Sequence, residues 1–288
     1  MDWDFRSEFD KTTLQETKNW FNFWFYILPT IPLLVGSFAG AHGEDLRFFP
    51  LILLVLTVAL GRTSISALAS LRGKQGVEVT CCPYIFEVAR FPFGVEVLRF
   101  VTYLTAVLTL VCGFILCLVR GFGVLTFGLF SLLAAAAYLS GYAKAKPGVP
   151  AALAFFSQGF VLTAVAYYCQ AGAFSASVLA LSLPLGFMLA ALVLRLEMDG
   201  EIYGGGKPTA AQLLGSERGE KLYLALVFLA YGFVVLNVLY GVSGFWCLLL
   251  LLLVPLLKKE IVSSEKFLHF YVKFGFLYAF CMLLRFTF

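Results

Sequence analysis

The sequence predicts an all-α polytopic membrane protein, a bundle of about nine transmembrane helices with a cytoplasmic N-terminus. Composition, segment length and charge distribution predict it. The chain is 61% hydrophobic and 13% charged, where a soluble domain is about a quarter charged. Its mean hydropathy is +0.90. Apolar segments recur along its whole length, each near the ~20 residues that a bilayer-crossing helix requires. Lys and Arg crowd into alternate connections between those segments, the asymmetry that orients membrane proteins.

Residues 1–19 come first as a mixed-charge amphipathic lead, with Asp2, Arg6, Glu8, Lys11 and Lys18 among its charges. No cleavable signal is expected there, because the apolar run after it is long enough to span. Residues 20–288 then read as one transmembrane domain. The expected spans are 20–41, 48–71, 98–119, 122–143, 150–170, 174–195, 221–242, 244–262 and 267–287. Helices are required, since backbone facing lipid must bond internally and the alternation of a barrel is missing.

The N-terminal tail and the connections after the second, fourth, sixth and eighth spans carry sixteen Lys and Arg. The opposite side has Arg47 and Arg120. The expected orientation is therefore N-terminus inside and, with nine spans, C-terminus outside. Two connections on the cytoplasmic side are long, 72–97 and 196–220, and both hold carboxylates. Long connections between packed helices tend to carry function. Any chemistry is expected at that end of the bundle, in an inner or plasma membrane.

The net charge of +4 is small and follows the topology. No nucleic-acid partner is expected; the bilayer is. The seven cysteines include vicinal Cys81 and Cys82 but form no CxxC, and they read as small buried hydrophobes. With His42 and His269 the only histidines, composition argues against a His-based metal or haem site.

The most informative stretch is 194–223. Glu197 and Glu201 stand four residues apart at the end of the sixth span, with Asp199 between them. Residues at i and i+4 share a helix face, and two stacked carboxylates suit a cation such as Mg²⁺; a solvated helix end is the alternative. Gly204, Gly205 and Gly206 then permit close backbone approach, and Lys207 supplies a point charge of the kind that binds phosphate. The spacing is not that of a Walker loop, and a flexible linker is the alternative here. Within the second span, Arg62 is a charge at membrane depth, sharing a face with Ser66 and Ala69. Such a residue faces a bundle interior and has a partner, for which a carboxylate from the sixth-span end is one candidate.

The run Gly206-Lys207-Pro208-Thr209-Ala210-Ala211-Gln212-Leu213-Leu214-Gly215, followed by Leu222-Tyr223, resembles the second signature of the UbiA superfamily of intramembrane aromatic prenyltransferases. Glu197 and Glu201 stand where that family has two aspartates. Tyr167-Tyr168-Cys169-Gln170-Ala171-Gly172 and Ser182-Leu183-Pro184-Leu185-Gly186 resemble the menaquinone branch, which prenylates dihydroxynaphthoate. The first aspartate signature is eroded. The end of the second span reads Leu68-Ala69-Ser70-Leu71-Arg72, then Gly76-Val77-Glu78, and only Glu78 keeps a carboxylate.

The resemblance implies transfer of a polyprenyl group from an allylic diphosphate to an aromatic acceptor, in lipid-quinone synthesis. It implies Mg²⁺, or a single such ion, on Glu78, Glu197, Asp199 and Glu201. The catalytic set it implies is Glu197, Glu201 and Lys207. Arg62, Arg72, Lys74, Tyr142, Lys144 and Thr209 are implied to bind the diphosphate donor and the acceptor. The erosion leaves two further readings. One is a catalytically degenerate protein of the same fold that binds an isoprenoid or quinone. The other is a small transporter, for which the internal repeats that would support it are not evident.

Overall fold

In the computed structural model the described residues are 23–41, 46–74, 94–139, 147–199, 209–256 and 263–285. They form nine helical elements and, among the described residues, no strand. These are α1 (Phe23–Gly40), α2 (Phe48–Lys74), α3 (Val95–Arg120), α4 (Gly123–Leu139), α5 (Val149–Ala171), α6 (Ser177–Met198), α7 (Ala210–Leu239), α8 (Phe245–Leu253) and α9 (Ser264–Leu284). The expected amphipathic lead lies outside the described residues.

Each expected span has its helix, but not all reach spanning length. Six are long and apolar enough to cross a membrane: α2, α3, α5, α6, α7 and α9. The apolar parts of the other three are shorter, Tyr26–Gly40, Gly123–Ala137 and Phe245–Leu256. α8 departs furthest from the expectation, because Phe245–Leu253 winds as a 3₁₀ helix. At ~2.0 Å rise per residue that winding covers more distance with fewer residues.

Contacts at the helix ends show the chain running up and down. At one end Gln170, closing α5, exchanges hydrogen bonds with the Arg47 backbone before α2. Arg120, closing α3, donates to the Gln170 carbonyl. On the same side Asn237 near the end of α7 donates to the Ala180 carbonyl at the start of α6. Arg285 after α9 donates to the Val242 carbonyl. The other end holds the C-termini of α2, α4 and α6 and the N-termini of α7 and α9, the end that the sequence marks as functional.

α6 is the axis of the bundle. Of its most apolar window 72% is buried, against 11% for α3, which lies on the outside against α2. Leu185, Met188, Leu189 and Leu192 of α6 pack with Ile31 of α1, Tyr231 of α7 and Phe274 and Tyr278 of α9. A second cluster joins Leu33, Leu54, Leu116, Leu162 and Ala166 from α1, α2, α3 and α5.

Two close approaches fix the inner helices. A Cβ on Gly36 of α1 would collide with the Thr163 carbonyl of α5, and one on Gly40 would stand 2.5 Å from the Tyr167 carbonyl. Small residues at this spacing are how membrane helices bring backbones together. Likewise Gly159 of α5 meets Gly186 of α6 backbone to backbone. Around Gly159 the helix widens, and Ala154–Val161 is a π-helical segment inside α5. Such bulges often mark functional positions.

Candidate functional site

The C-terminus of α6 delivers two carboxylates, and each is tied to the start of another helix. Glu197 is only 4% exposed. Its Oε2 accepts the Ala211 backbone N–H at 3.1 Å. The first N–H groups of a helix lack intrahelical acceptors. Glu197 supplies one for α7, and its negative charge suits the positive end of the helix dipole.

Thr209 completes the same start as N-cap. Its Oγ1 accepts from the Gln212 N–H, and the Gln212 side chain accepts from the Thr209 N–H at 3.0 Å. This reciprocal capping box explains why α7 begins at Ala210, ahead of the expected 221. Gly215, with φ of 75°, then breaks the helix after one turn, so the spanning part follows the kink.

Asp199 does for α9 what Glu197 does for α7. Its Oδ2 accepts the Ser264 N–H at 2.6 Å, and its Oδ1 pairs with Arg195 Nη2 at 3.0 Å. The Arg195 guanidinium also lies 5.9 Å from the centre of the Tyr223 ring. That ring meets Phe267 edge-on at 5.0 Å. Three helix ends are thus pinned together by α6 side chains.

α2 brings the second group. Arg62 is 8% exposed, and its Nη1 donates to Gln158 Oε1 at 2.9 Å. Gln158 stands on the π segment of α5. Ser66, Ala69 and Ser70 are buried on the same side of α2, as the face with Arg62 predicts. Nearby, the Tyr26 hydroxyl and Thr63 Oγ1 are 3.1 Å apart. Nearer the helix end, Arg72 Nη1 donates to the Leu139 carbonyl at 3.0 Å. That carbonyl belongs to the last turn of α4, where a cation is favoured.

The expected site residues therefore divide. Glu197, Asp199 and Thr209 lie at the joined starts of α7 and α9. Arg62 and Arg72 lie along α2, which Lys74 terminates. Glu78, Tyr142, Lys144, Glu201 and Lys207 lie outside the described residues. The ion pairs among the described residues are Arg99–Glu96, Arg195–Asp199 and Lys221–Glu217, so none links Arg62 or Arg72 to Glu197 or Asp199.

The expectation that Glu197 and Asp199 hold Mg²⁺ meets a physical objection. Among the described residues no three His, Cys, Asp or Glu side chains converge on a metal position. Both oxygens of Asp199 are engaged, and Glu197 faces the N–H donors of a helix start, a setting that repels a cation. The described residues do not fit a magnesium centre.

Sequence reading missed Gln158, Gln212 and Ser264. Gln158, an amide in the middle of the apolar stretch 150–170, was the visible signal. A buried amide in a membrane helix needs a partner. An apolar groove of about 430 Å³ along α7, lined by Ala225, Phe228, Leu229, Gly232, Phe233 and Leu236, carries no polar group and lies apart from all these residues.

No protein-family model matches the chain, and no curated protein does. Two solved chains match it in structure. One comes from structural and mechanistic work on digeranylgeranylglyceryl phosphate synthase in membranes, with a TM-score of 0.52 at 16% identity. The match covers 94% of this chain and 97% of that one. Over almost its whole length, the protein shares the fold of that membrane synthase.

Proposed function

We propose that the protein transfers a polyprenyl group from an allylic diphosphate to an acceptor held at the end of the bundle where α2, α4 and α6 finish. The observation that carries this reading is the whole-chain likeness to the digeranylgeranylglyceryl phosphate synthase structure. The Gly206–Gly215 run supports it independently, since its resemblance to a prenyltransferase signature rests on residues rather than shape.

In this reaction the allylic C–O bond breaks, pyrophosphate leaves with the bonding electrons, and a nucleophilic acceptor atom attacks the allylic cation and loses a proton. The main electrostatic task is to stabilise the departing diphosphate. Lys207, Arg72 and Lys74 are proposed to share it, with Tyr142 and Lys144 toward the acceptor. The apolar helix faces exclude water that would quench the cation. The acceptor proposed is an aromatic ring of lipid-quinone synthesis, with the active end facing the cytoplasm. No step passes through Glu197 or Asp199, whose oxygens hold helices. Magnesium remains what the resemblance implies, with Glu78 and Glu201 the members of the implied set left to hold it.

The test is an assay in membranes with labelled prenyl diphosphate. Dihydroxynaphthoate, hydroxybenzoate and a prenylated glyceryl phosphate serve as acceptors, with and without Mg²⁺. A prenylated product with matching pyrophosphate release supports the reading. No release with any acceptor, beside an active control enzyme, overturns it.

The capping roles of Glu197 and Asp199 favour a second reading, a protein that binds an isoprenoid without converting it. Native mass spectrometry would then show a bound prenyl lipid that survives incubation with every acceptor unchanged. Turnover of that lipid, or a protein with none bound, counts against it.

A further inference from the structure

α8 has a thin hold on the bundle. Within it only Cys247 and Leu250 are buried, whereas Phe245, Trp246, Leu251 and Leu252 are exposed. Its 3₁₀ winding also has poorer hydrogen-bond geometry than an α-helix. What Cys247 packs against therefore matters for the whole segment.

Cys281, in the last turn of α9, supplies that contact. Its Sγ donates to the Trp246 carbonyl at 3.1 Å. That oxygen and the Cys247 α-carbon flank one trans peptide and lie about 2.8 Å apart. The Cys281 sulfur therefore stands within about 6 Å of the Cys247 α-carbon, a range in which two cysteines can be bridged. Arg285, four residues on, donates to the Val242 carbonyl at 2.6 Å and holds the turn before α8 against the same end of α9. Both thiols are free and fully buried.

Two features separate this pair from ordinary core cysteines. They belong to different helices and lie thirty-four positions apart. A bond between them would close a long loop, the kind in which a cross-link restricts the unfolded chain most. They also lie at the end of the bundle opposite Glu197 and Thr209. The Lys and Arg asymmetry predicts that this end faces outward, the side on which disulfides form and persist.

We propose that Cys247 and Cys281 form a disulfide that locks α8 to α9, made by exchange with an oxidised dithiol carrier on the outer side. One protein thiolate attacks the carrier's S–S bond and displaces one carrier thiolate. The second protein thiolate attacks the mixed disulfide and expels the other. One S–S bond breaks and one forms. The protein pair gives two electrons to the carrier, and the two thiol protons end on the carrier's thiolates. Buried thiols are inert, so exchange precedes the docking of α8, and docking then shields the bond. The reduced pair, with the Cys281 thiol on the Trp246 carbonyl, is the unlocked state. The pairing is independent of the prenyl-transfer reading.

Cells making the full chain are lysed directly into SDS with excess N-ethylmaleimide. The purified protein is digested with and without prior reduction, and its cysteine peptides are identified by mass. Expected in most chains is a linked peptide pair containing Cys247 and Cys281, lost on reduction. In Cys247→Ala the link should vanish and Cys281 should carry maleimide, and Cys281→Ala should expose Cys247 in the same way. The wild-type map decides the matter even where a variant fails to fold. Maleimide on both cysteines without reduction overturns the proposal. So does a link from either cysteine to a different partner, or a link that appears only when alkylation is delayed after lysis.

Discussion

Glu197 is the residue at which a catalytic and an architectural role come apart most cleanly. Its carboxylate is buried against the first N–H groups of α7. Removing one partner of a buried hydrogen bond leaves the other unsatisfied, at about 1–3 kcal/mol. Glu197→Ala is expected to destabilise the fold by that amount, read as a lower thermal midpoint in detergent. Glu197→Gln, which keeps an acceptor oxygen, should lose less. A metal ligand would behave differently, with activity lost and the melt unmoved. Asp199 makes a parallel case. Asp199→Asn retains an acceptor for the Ser264 N–H and loses the ionic pairing with Arg195, so it should be milder than Asp199→Ala. Equal melts for the two variants would mean that the Ser264 bond contributes nothing. None of this could be read from spacing. Glu197, Asp199 and Glu201 are an acidic cluster in the sequence, and which N–H groups face them depends on where α7 and α9 begin. Arg62 was easier, because a charge in an apolar run has one side on which it can be buried, and Ser66 and Ala69 mark that side.

At the scale of elements, two glycines have separate tasks. Gly215 adopts φ 75° and ψ 165° with open space around its α-carbon. Only glycine takes this conformation without strain, so Gly215→Ala should cost about 1–3 kcal/mol through the backbone alone. Gly36 is limited by space instead. Gly36→Leu would drive α1 off the Thr163 carbonyl and is expected to destabilise by about 1–3 kcal/mol or to prevent folding, read from the melt or from the yield of monodisperse protein. The nine hydrophobic stretches were legible because bilayer thickness sets a length that hydropathy reports. The start of α7 was not, since Thr209 and Gln212 form a capping box inside a polar run that reads as loop. The 3₁₀ winding of α8 was hidden for a related reason: hydropathy counts apolar residues and is blind to the rise per residue.

For the whole molecule, alternation of helix direction collects the ends of α2, α4 and α6 on one side. The distribution of Lys and Arg then predicts that this side faces the cytoplasm. Single cysteines in a background freed of native ones should react accordingly with a membrane-impermeant thiol reagent in intact cells. A cysteine at Ala173 should be labelled from outside, and one at Ser216 only after permeabilisation. The reverse pattern would invert the topology. The measurement that bears most directly on the central claim is pyrophosphate release by the purified, membrane-reconstituted protein given a prenyl diphosphate and the acceptor panel. The account predicts release in step with a prenylated acceptor; neither release nor product from a folded protein, beside an active control, would contradict it.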